Sequence, residues 1–410
     1  MNVKAQWIGA ASVLALGLGT GTAASAAEVR VIVSHYSDQT APIFEAMAAE
    51  FEAANPEIDI VIEDVAWDAL QQRLTTDIAG GTAPDISIIG TRWLVDYVEN
   101  DIVEPLGAYM DDAFKGRFID TFMAPSTIDG EIYGLPVAAS ARAMYYNKGL
   151  LEQAGVSAPP ATWDELKAAA EKVHALGDDI YGFGLQGAEI ETDAYWYYAL
   201  WSHGGELITA DGQSGVASEA AIQAATLYKD LIDSGLTQPG VTSNDRQDVE
   251  SLLKQGKVGM ILSGPWLRGQ MKEEAPDVDY GIAAIPAGTA QATYGVTDSI
   301  VMFADSEVKA EAWKFLSETA FTDKWRNEFT QKEGFLPVFK SVAADPFFAN
   351  DPQLKAFTDM LPYAQFAPLI PNWEEIADTT ASALQQIYLG DAEVEPALSA
   401  AAEKINGILN

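Results

Sequence analysis

Apolar residues along the chain alternate between short continuous runs and helical spacing. Val29–Val33, apart from Arg30, and the later runs Ile58–Ile62 and Ile86–Ile89 are apolar, as in strands covered on both faces. Between these runs, apolar residues recur as on one face of a helix. They are Phe44, Met47, Ala48 and Phe51, then Trp67, Leu70, Leu74 and Ile78. This order predicts a βαβαβ unit, one half of a doubly wound parallel sheet.

The middle and end of the chain continue the alternation with a larger share of helix. Val258–Leu262 predicts a buried strand, and Ser263-Gly264-Pro265 predicts a turn into a helix at Trp266. Tyr294–Phe303 predicts one long strand, and the tail, about 352–409, is predicted to be mostly helical. Because 410 residues exceed what one hydrophobic core usually serves, we expect two domains.

The first 27 residues have the pattern of a cleavable secretory signal. Lys4 is their only charge, Trp7–Leu18 is a short apolar core, and Ala24-Ser25-Ala26-Ala27 offers small residues for cleavage. The apolar core is too short to span a bilayer stably. We therefore expect cleavage after Ala26 or Ala27 and a freely diffusing protein in the periplasm of a Gram-negative bacterium.

The composition narrows the possible partners. The chain has 60 acidic and 24 basic residues, and its formal net charge of -36 disfavours binding to nucleic acid or to an anionic membrane. It has no cysteine, so neither disulfides nor a cysteine-linked lipid anchor is expected. Its three histidines lack metal-ligand spacing, and we predict neither a metal nor a cofactor.

Motifs for catalysis are not apparent. Residues 182–187 (GFGLQG) fit the G-x-G-x-x-G spacing, but they lie in an alternating strand pattern and not at a strand-to-helix turn, so a dinucleotide site is not predicted. No G-x-S-x-G or H-E-x-x-H motif occurs. We predict no catalytic residue and no enzyme activity. A periplasmic glycoside hydrolase is the alternative, and it would need two carboxylates flanking a scissile bond.

The stretch Gly134–Gln153 combines a buried apolar run, small residues, a second apolar run and the start of a helix. The small residues would let a ligand approach the backbone. Its small and apolar positions are Pro136, Val137 and Ala138, then, after four free positions, Ala143, Met144, Tyr145, Tyr146 and Asn147. This stretch closely resembles the signature of the family-1 extracellular solute-binding proteins of bacterial ABC uptake transporters, which transport carbohydrates. Gln153 departs from it, since that position is usually charged or Asn.

Further segments resemble the same family over nearly the whole chain after the signal. Ala83-Pro84-Asp85-Ile86 resembles its Pro-Asp strand, with the ligand-facing loop Gly90-Thr91-Arg92-Trp93 after it. Residues 256–266 resemble a strand-to-helix turn whose Trp, here Trp266, stacks on sugar in maltose-binding relatives. Residues 334–338 resemble a Gly-x-x-Pro-Val turn, and Trp373 lies where those relatives carry another stacking aromatic.

The resemblance implies a fold and a function. The fold is the α/β, two-lobed fold of periplasmic binding proteins, in which each lobe is a sheet flanked by helices and a ligand cleft lies between hinge-linked lobes. We expect an N-terminal lobe of 28–138 plus about 297–340 and a C-terminal lobe of 139–296 plus about 341–410. The implied function is delivery of a sugar, sugar derivative or polyol to membrane permease subunits, by a monomer.

Candidate ligand-binding residues lie at predicted strand ends and helix starts, where open α/β sheets bind ligands. Aromatic rings would match the C–H faces of a sugar, and carboxylates, amides and arginines would match its hydroxyls. The candidates are His35, Ser37, Asp38, Trp67, Asp68, Gly90, Thr91, Arg92, Ser140, Arg142, Tyr145, Trp196, Trp266, Asp298, Gly334, Phe335 and Trp373.

Several candidates have a structural alternative. Trp67 fits a core role as well as a ligand role, and Arg142 fits pairing with a carboxylate of its own lobe. Asp38 and Asp68 could each cap a helix, and His35 could be structural. The segment 193–203 (DAYWYYALWSH) has aromatics on more than one helical face, so it fits either a helix that lines the cleft or a fully buried one.

The ligand class also stays open. Thr91 and Ser140 stand where the maltose-binding relatives carry ligand-binding carboxylates, which disfavours maltodextrin and leaves a smaller sugar or a polyol. An anionic sugar ester, a phosphate or sulfonate held by Arg92 and Arg142, is the alternative within this class.

Overall fold

Two β-sheets covered by helices form the two lobes of the protein. The computed structural model describes residues 26–188 and 191–410, so most of the predicted signal segment lies outside the described residues. In chain order the strands are β1 Ala27–His35, β2 Ile58–Ala66, β3 Ile86–Gly90, β4 Thr127–Ile128, β5 Glu131–Ile132, β6 Leu135–Ser140, β7 Ala143–Asn147, β8 Tyr181–Gly184, β9 Val258–Ser263, β10 Tyr280–Ala283, β11 Thr293–Tyr294, β12 Val296–Met302 and β13 Ala364–Gln365.

Helices cover the faces of both sheets. In chain order they are α1 Thr40–Ala54, α2 Trp67–Ala79, α3 Leu94–Glu99, α4 Asp112–Lys115, α5 Asp120–Met123, α6 Lys148–Gln153, α7 Trp163–His174, α8 Thr192–Ser202, α9 Glu219–Asp233, α10 Arg246–Lys254, α11 Leu267–Glu274, α12 Lys309–Phe315, α13 Asp323–Glu333, α14 Lys340–Ala343, α15 Pro346–Ala349, α16 Pro352–Thr358, α17 Trp373–Leu389 and α18 Val394–Leu409. Among the described residues, none of these helices is both long and apolar enough to cross a membrane.

The sheet of the first lobe has the strand order β2-β1-β3-β12-β6. β1 pairs in parallel with β2 and β3, whereas β12 runs antiparallel to both β3 and β6. The predicted βαβαβ unit is confirmed, because its apolar runs form β1 to β3 and its helical positions form α1 and α2. On α1, the side chains of Phe44, Met47 and Phe51 are completely buried against this sheet.

The sheet of the second lobe has the order β10-β7-β9-β8. β7 runs antiparallel to β10 and β9, and β8 is parallel to β9. Helices α8, α9, α17 and α18 pack on one another beside it and bury a second apolar core. The two-lobed α/β fold is therefore confirmed, and the mostly helical tail forms part of the second lobe.

The chain passes between the lobes where one strand ends and the next begins. β6 leads into β7 through Ala141 and Arg142, and β11 leads into β12 through Gly295. The boundaries predicted after residues 138 and 296 lie close to these crossings, although β6 continues to Ser140 within the first sheet.

The prediction of one long strand over Tyr294–Phe303 is wrong. The pairing breaks at Gly295, so that β11 pairs with β13 and β12 joins the first sheet. A Cβ atom at residue 295 would lie 2.6 Å from the ring of Phe366, and the Gly295 N–H donates to the carbonyl of Gln365. The residue at this crossing must therefore be small, a requirement that an apolar run does not reveal.

The G-x-G-x-x-G segment begins in a strand, and its last three residues follow that strand. Gly182 and Gly184 belong to β8, and the next helix begins at Thr192. A Cβ atom at residue 182 would lie 2.4 Å from the backbone of Ala170 on α7. Gly182 therefore serves the close packing of α7 on the second sheet.

We predict that Gly182→Ala lowers the free energy of unfolding by about 1–3 kcal/mol, because the backbone of α7 must move to admit the methyl group. Gly269→Ala is the matched control, since nothing lies within 4 Å of its Cβ position in α11 and alanine favours helix. Urea denaturation of both variants measures the difference. Equal stability of the two variants would contradict the packing role.

Candidate functional site

A cleft between the lobes contains two adjoining cavities. Several predicted ligand residues follow the carboxyl ends of β1, β2 and β3, where ligand sites of open α/β sheets occur. One cavity, of about 300 Å³, has tyrosines 195, 198 and 294 in its wall, and we call it the tyrosine chamber. The other, of about 320 Å³, is bounded by Trp266, and we call it the Trp266 chamber. The residues that line both are Trp67, Asp68, Arg142, Glu191, Val296 and Asp298.

Trp67 packs against other aromatic rings and also lines both chambers. It opens α2 directly after β2, and its half-buried ring stacks on Trp93 at 5.5 Å and near Tyr36 at 6.2 Å between ring centroids. Gly90 leaves room for these rings, because a Cβ atom there would approach Trp93 and Trp67 to 3.1 and 3.3 Å. The indole of Trp67 is thus packed from one side and available to the cleft from another.

Trp266 is fixed by charged neighbours. Its ring lies 4.6 Å from the guanidinium carbon of Arg142 and 5.0 Å from that of Arg246. Its indole N–H donates to Glu250 Oε1 at 3.0 Å, and Glu250 is itself buried. The Ser263 hydroxyl donates to the same carboxylate oxygen at 2.6 Å. These contacts fix the orientation of a ring that remains partly exposed to the cleft.

Arg142 lies at the crossing between β6 and β7 and is almost fully buried. Its Nη1 donates to Ser140 Oγ at 2.6 Å, and its guanidinium packs on Trp266. The contacts of Arg142 thus differ from the carboxylate pairing considered as its structural alternative. Its Nε finds no hydrogen-bond partner among the described residues, although it is buried and lines both chambers.

Arg92 connects the two lobes. It belongs to the turn after β3, in the first lobe, and its Nε donates to Glu374 of α17. Its Nη2 lies 3.5 Å from Asp193 Oδ2 of α8, and Asp193 is completely buried. Burial opposes the charge of Arg92, but Asp193 and Glu374 raise its pKa well above the ordinary value, so it stays protonated. Its positive charge is already compensated by two carboxylates of the other lobe.

Asp298, on β12, is the most deeply buried carboxylate that lines both chambers. Its Oδ2 accepts a hydrogen bond from the Tyr36 hydroxyl at 2.7 Å, and its Oδ1 has no partner among the described residues. Burial raises the pKa of Asp298 to about 7, against the lowering effects of the Tyr36 hydrogen bond and of Arg142.

The structure brings eleven of the seventeen predicted ligand residues to the chambers. Gly90, Thr91 and Arg92 line the tyrosine chamber, and Thr91 shares a 2.7 Å hydrogen bond with Ser299. His35, Ser140, Trp266 and Phe335 line the Trp266 chamber, although His35 also has the structural role considered for it, because its Nδ1 lies 2.6 Å from Asp64. The four candidates that line both are Trp67, Asp68, Arg142 and Asp298.

The other six line neither chamber. Trp196 and Trp373 are buried in the core of the second lobe, and the buried Tyr145 donates to the carbonyl of Gly264. Gly334 ends α13 with φ of 79°, against the backbone of Trp266. Ser37 and Asp38 lie in the turn before α1. Asp38 is fully exposed and does not cap α1, since Gln39 is the N-cap residue and makes no side-chain cap bond.

Several residues of the cleft are not among the predicted candidates. Glu191, Ala194, Tyr195 and Tyr198 line the tyrosine chamber from the start of α8, whereas Trp196, Tyr197 and Trp201 pack into the core. Helix α8 is buried along its whole length, so helical spacing by itself does not distinguish its cleft side from its core side. Arg246, which contacts Glu191 and Glu250, is also a residue of the Trp266 chamber. Its position in the capping box of α10 gives no sign of that role.

The described residues offer no group of three or more His, Asp or Glu side chains that could hold a metal ion. The residues that line the cleft offer aromatic faces, guanidinium donors and carboxylate acceptors.

Comparisons with known proteins agree on one family. Residues 37–324 match the family model described as bacterial extracellular solute-binding protein. The chain is 57% identical to a binding protein of Brucella abortus (strain 2308) over 99% of this chain and 98% of that one. It is 26% identical to the maltotriose-binding protein of Pyrococcus abyssi over 88% and 78% of the two chains. A solute-binding protein of an ABC transporter from Thermotoga lettingae, crystallised with α-D-tagatose, has a TM-score of 0.86 at 25% identity, covering 94% of this chain and 100% of that one.

We predict that Arg92→Met lowers the free energy of unfolding by about 3 kcal/mol, because Asp193 and Glu374 lose their buried cation. We also expect a larger radius of gyration in small-angle X-ray scattering, since a contact between the lobes is removed. Arg73→Met is the control, because Arg73 pairs with Glu63 and Asp77 within the first lobe at partly exposed positions and should cost less than about 1 kcal/mol. If Arg92→Met and Arg73→Met changed the stability and the radius of gyration equally, the cross-lobe role of Arg92 would be refuted.

We predict that Asp298 makes the folded protein less stable as the pH rises from about 4 to 7. In this range the unfolded carboxyl releases its proton near its ordinary pKa of 3.8, whereas the folded carboxyl holds it to about 7. The Asp298→Asn variant lacks this decline, so its advantage over the natural protein should grow by up to about 4 kcal/mol across the range. Chemical denaturation at several pH values tests this. If the stabilities of Asp298→Asn and of the natural protein changed in parallel with pH, the prediction would be wrong.

Proposed function

This chain belongs to the family of bacterial extracellular solute-binding proteins, and we propose that it carries one sugar or polyol molecule to the permease of an ABC importer. In this proposal the protein is exported by the signal in residues 1–27 and acts in the periplasm as a monomer. It binds its ligand between the lobes and releases it chemically unchanged. Its lobes are 28–138 with about 297–340, and 139–296 with about 341–410.

The observation that carries the proposal is a cleft between the lobes whose walls combine aromatic rings with carboxylates and arginines. The carboxylates can accept hydrogen bonds from sugar hydroxyls, and the arginines can donate hydrogen bonds to them. The indoles of Trp67 and Trp266 offer ring faces to the C–H faces of a sugar. Neighbouring relatives support this chemistry, because one is named for maltotriose and another was crystallised with α-D-tagatose.

The charges of the cleft support an uncharged ligand over a sugar phosphate or sulfonate. Arg92 is paired with two carboxylates, and Arg246 contacts Glu191 and Glu250. Within the described part of the chain, four carboxylates line the chambers, those of Asp68, Glu191, Asp298 and Glu374. An anionic group held by Arg92 would have to displace existing ion pairs, and one held by Arg142 would still approach several acids, whereas hydroxyl groups can donate to those same acids.

A ligand that contacts both lobes can favour the closed form, and a permease can respond to that change. A ligand changes the balance between open and closed forms only if it interacts differently with the two. Asp298 and Trp67 belong to the first lobe, and Trp266 and Tyr195 belong to the second. A molecule that contacts both sets favours the closed form, which is the form we propose the permease recognises.

We predict that Trp266→Ala weakens ligand binding about 30-fold, corresponding to about 2 kcal/mol, while the fold stays intact. A thermal-shift screen of neutral sugars, polyols and their charged esters first identifies the ligand, because binding to the folded state alone raises the melting temperature. Calorimetry then compares the variants. Trp313→Ala serves as control, since Trp313 is also half-buried but packs on Tyr109 and Phe114 of the first lobe.

Two outcomes would count against the proposal. Unchanged affinity in Trp266→Ala would remove Trp266 from the site. Recovery of cleaved ligand after incubation, followed by chromatography, would favour the glycoside hydrolase alternative instead.

A further inference from the structure

Helix α17 of the second lobe begins against the first lobe. The residue before it, Asn372, has a φ of 56°, and its side chain makes no hydrogen bond to the start of the helix. The backbone N–H of Asn372 donates to Asp96 Oδ1 at 2.7 Å, and Asp96 belongs to α3 of the first lobe. Because the N–H groups at the start of a helix have no partner within that helix, the other lobe supplies one here.

A second contact between the lobes reaches the same turn of α17. Glu374, two residues after Asn372, accepts a hydrogen bond from Arg92 Nε, four residues before Asp96. The first lobe thus presents a cation to an acid of α17 and an acid to its N-terminal end, where the helix dipole favours negative charge. We call this pair of contacts, Arg92 with Glu374 and Asp96 with Asn372, the α17 latch.

Both sides of the α17 latch are anchored in their own lobes. Leu94 and Tyr97 of α3 are buried in an apolar cluster with residues of β1, β3 and β12. Trp373 and Ile376, in the first turn of α17, are buried in the core of the second lobe. Neither segment can move away alone without exposing these side chains, so separation of the lobes is the movement that breaks the α17 latch.

Asp96 itself is partly exposed and lines neither chamber. We infer that Asp96 is a positioning residue: it caps α17 across the cleft and, together with Arg92, stabilises the arrangement in which the lobes meet. A ligand that contacts both lobes binds more weakly when this arrangement is less populated, so Asp96 affects affinity without touching the ligand. The effect on affinity rests on the proposed function, whereas the effect on the distance between the lobes does not.

The distance between the lobes tests the inference without a ligand. The chain has no cysteine, so spin labels can be attached at Thr75→Cys on α2 and Lys272→Cys on α11, two exposed positions in different lobes. Pulsed electron paramagnetic resonance then gives the populations at short and long distance. We expect Asp96→Ala to raise the ratio of long to short distances about threefold, because a helix cap is lost. Asp96→Lys should raise this ratio at least about tenfold, because a cation then faces the helix N-terminus.

Two further comparisons make the test specific. Asp96→Asn should have the smallest effect of the three variants, because its amide oxygen can still accept the hydrogen bond. Glu99 is an exposed acid at the end of the same helix, so Glu99→Ala and Glu99→Lys repeat the changes of charge and should leave the distances unchanged. A cooperative melting transition shows that each variant folds. Equal distance distributions in Asp96→Lys and Glu99→Lys would overturn the inference.

Calorimetry tests the effect on affinity, with D-tagatose, D-mannitol, maltose and the compounds found in the thermal-shift screen as probes. Asp96→Ala should weaken all of them by the same factor, about threefold, because it changes the population of one arrangement and no contact with a ligand. Trp266→Ala, which removes a ring from the wall, should weaken them by different factors. Unequal factors in Asp96→Ala would overturn the positioning role. If no probe binds the natural protein, the proposed function fails, and the distance measurement still decides the inference.

Discussion

The cleft depends on two crossings of the chain that are held side by side. The hydroxyl of Thr293 accepts a hydrogen bond from the backbone N–H of Arg142 at 2.9 Å and lies 2.9 Å from the Arg142 carbonyl, to which it donates. One residue thus satisfies both backbone groups of the other crossing, at a buried point where neither sheet can supply partners. Because the crossings are fixed here, the residues beside them, Arg142 and Asp298, enter the cleft at defined positions.

The crossings also place part of the wall that the two chambers share. Arg142 lies in one crossing, Val296 and Asp298 follow the other, and all three line both chambers. Lining both chambers is not confined to the crossings, because Trp67 and Asp68 at the start of α2 do so as well, whereas Ser140, beside a crossing, lines only the Trp266 chamber.

Charged residues on the surface of the protein and charged residues in its cleft differ in how strongly they are screened. The surface carries most of the 60 acidic residues, and water and salt screen them. In the cleft, by contrast, Arg92, Arg142 and Arg246 lie beside carboxylates or an indole. Because these arginines are largely buried, their contacts are screened less than those at the surface. The ion pairs of Arg92 with Asp193 and Glu374 are such buried contacts, and they join the two lobes directly.

The sequence by itself determined the fold class, the family and most of the strands and helices, because buried runs and helical spacing are local patterns with one physical meaning. It also indicated that the ends of β1 to β3 and the turn at Trp266 face a cleft, since strand ends of such sheets gather there. Only the tertiary structure decided which aromatic of α8 enters the cleft: Trp196 and Tyr198 are both apolar and helical, and burial depends on what packs around them. The break at Gly295 was likewise set by a residue distant in sequence, Phe366, whose ring occupies the space a side chain would need.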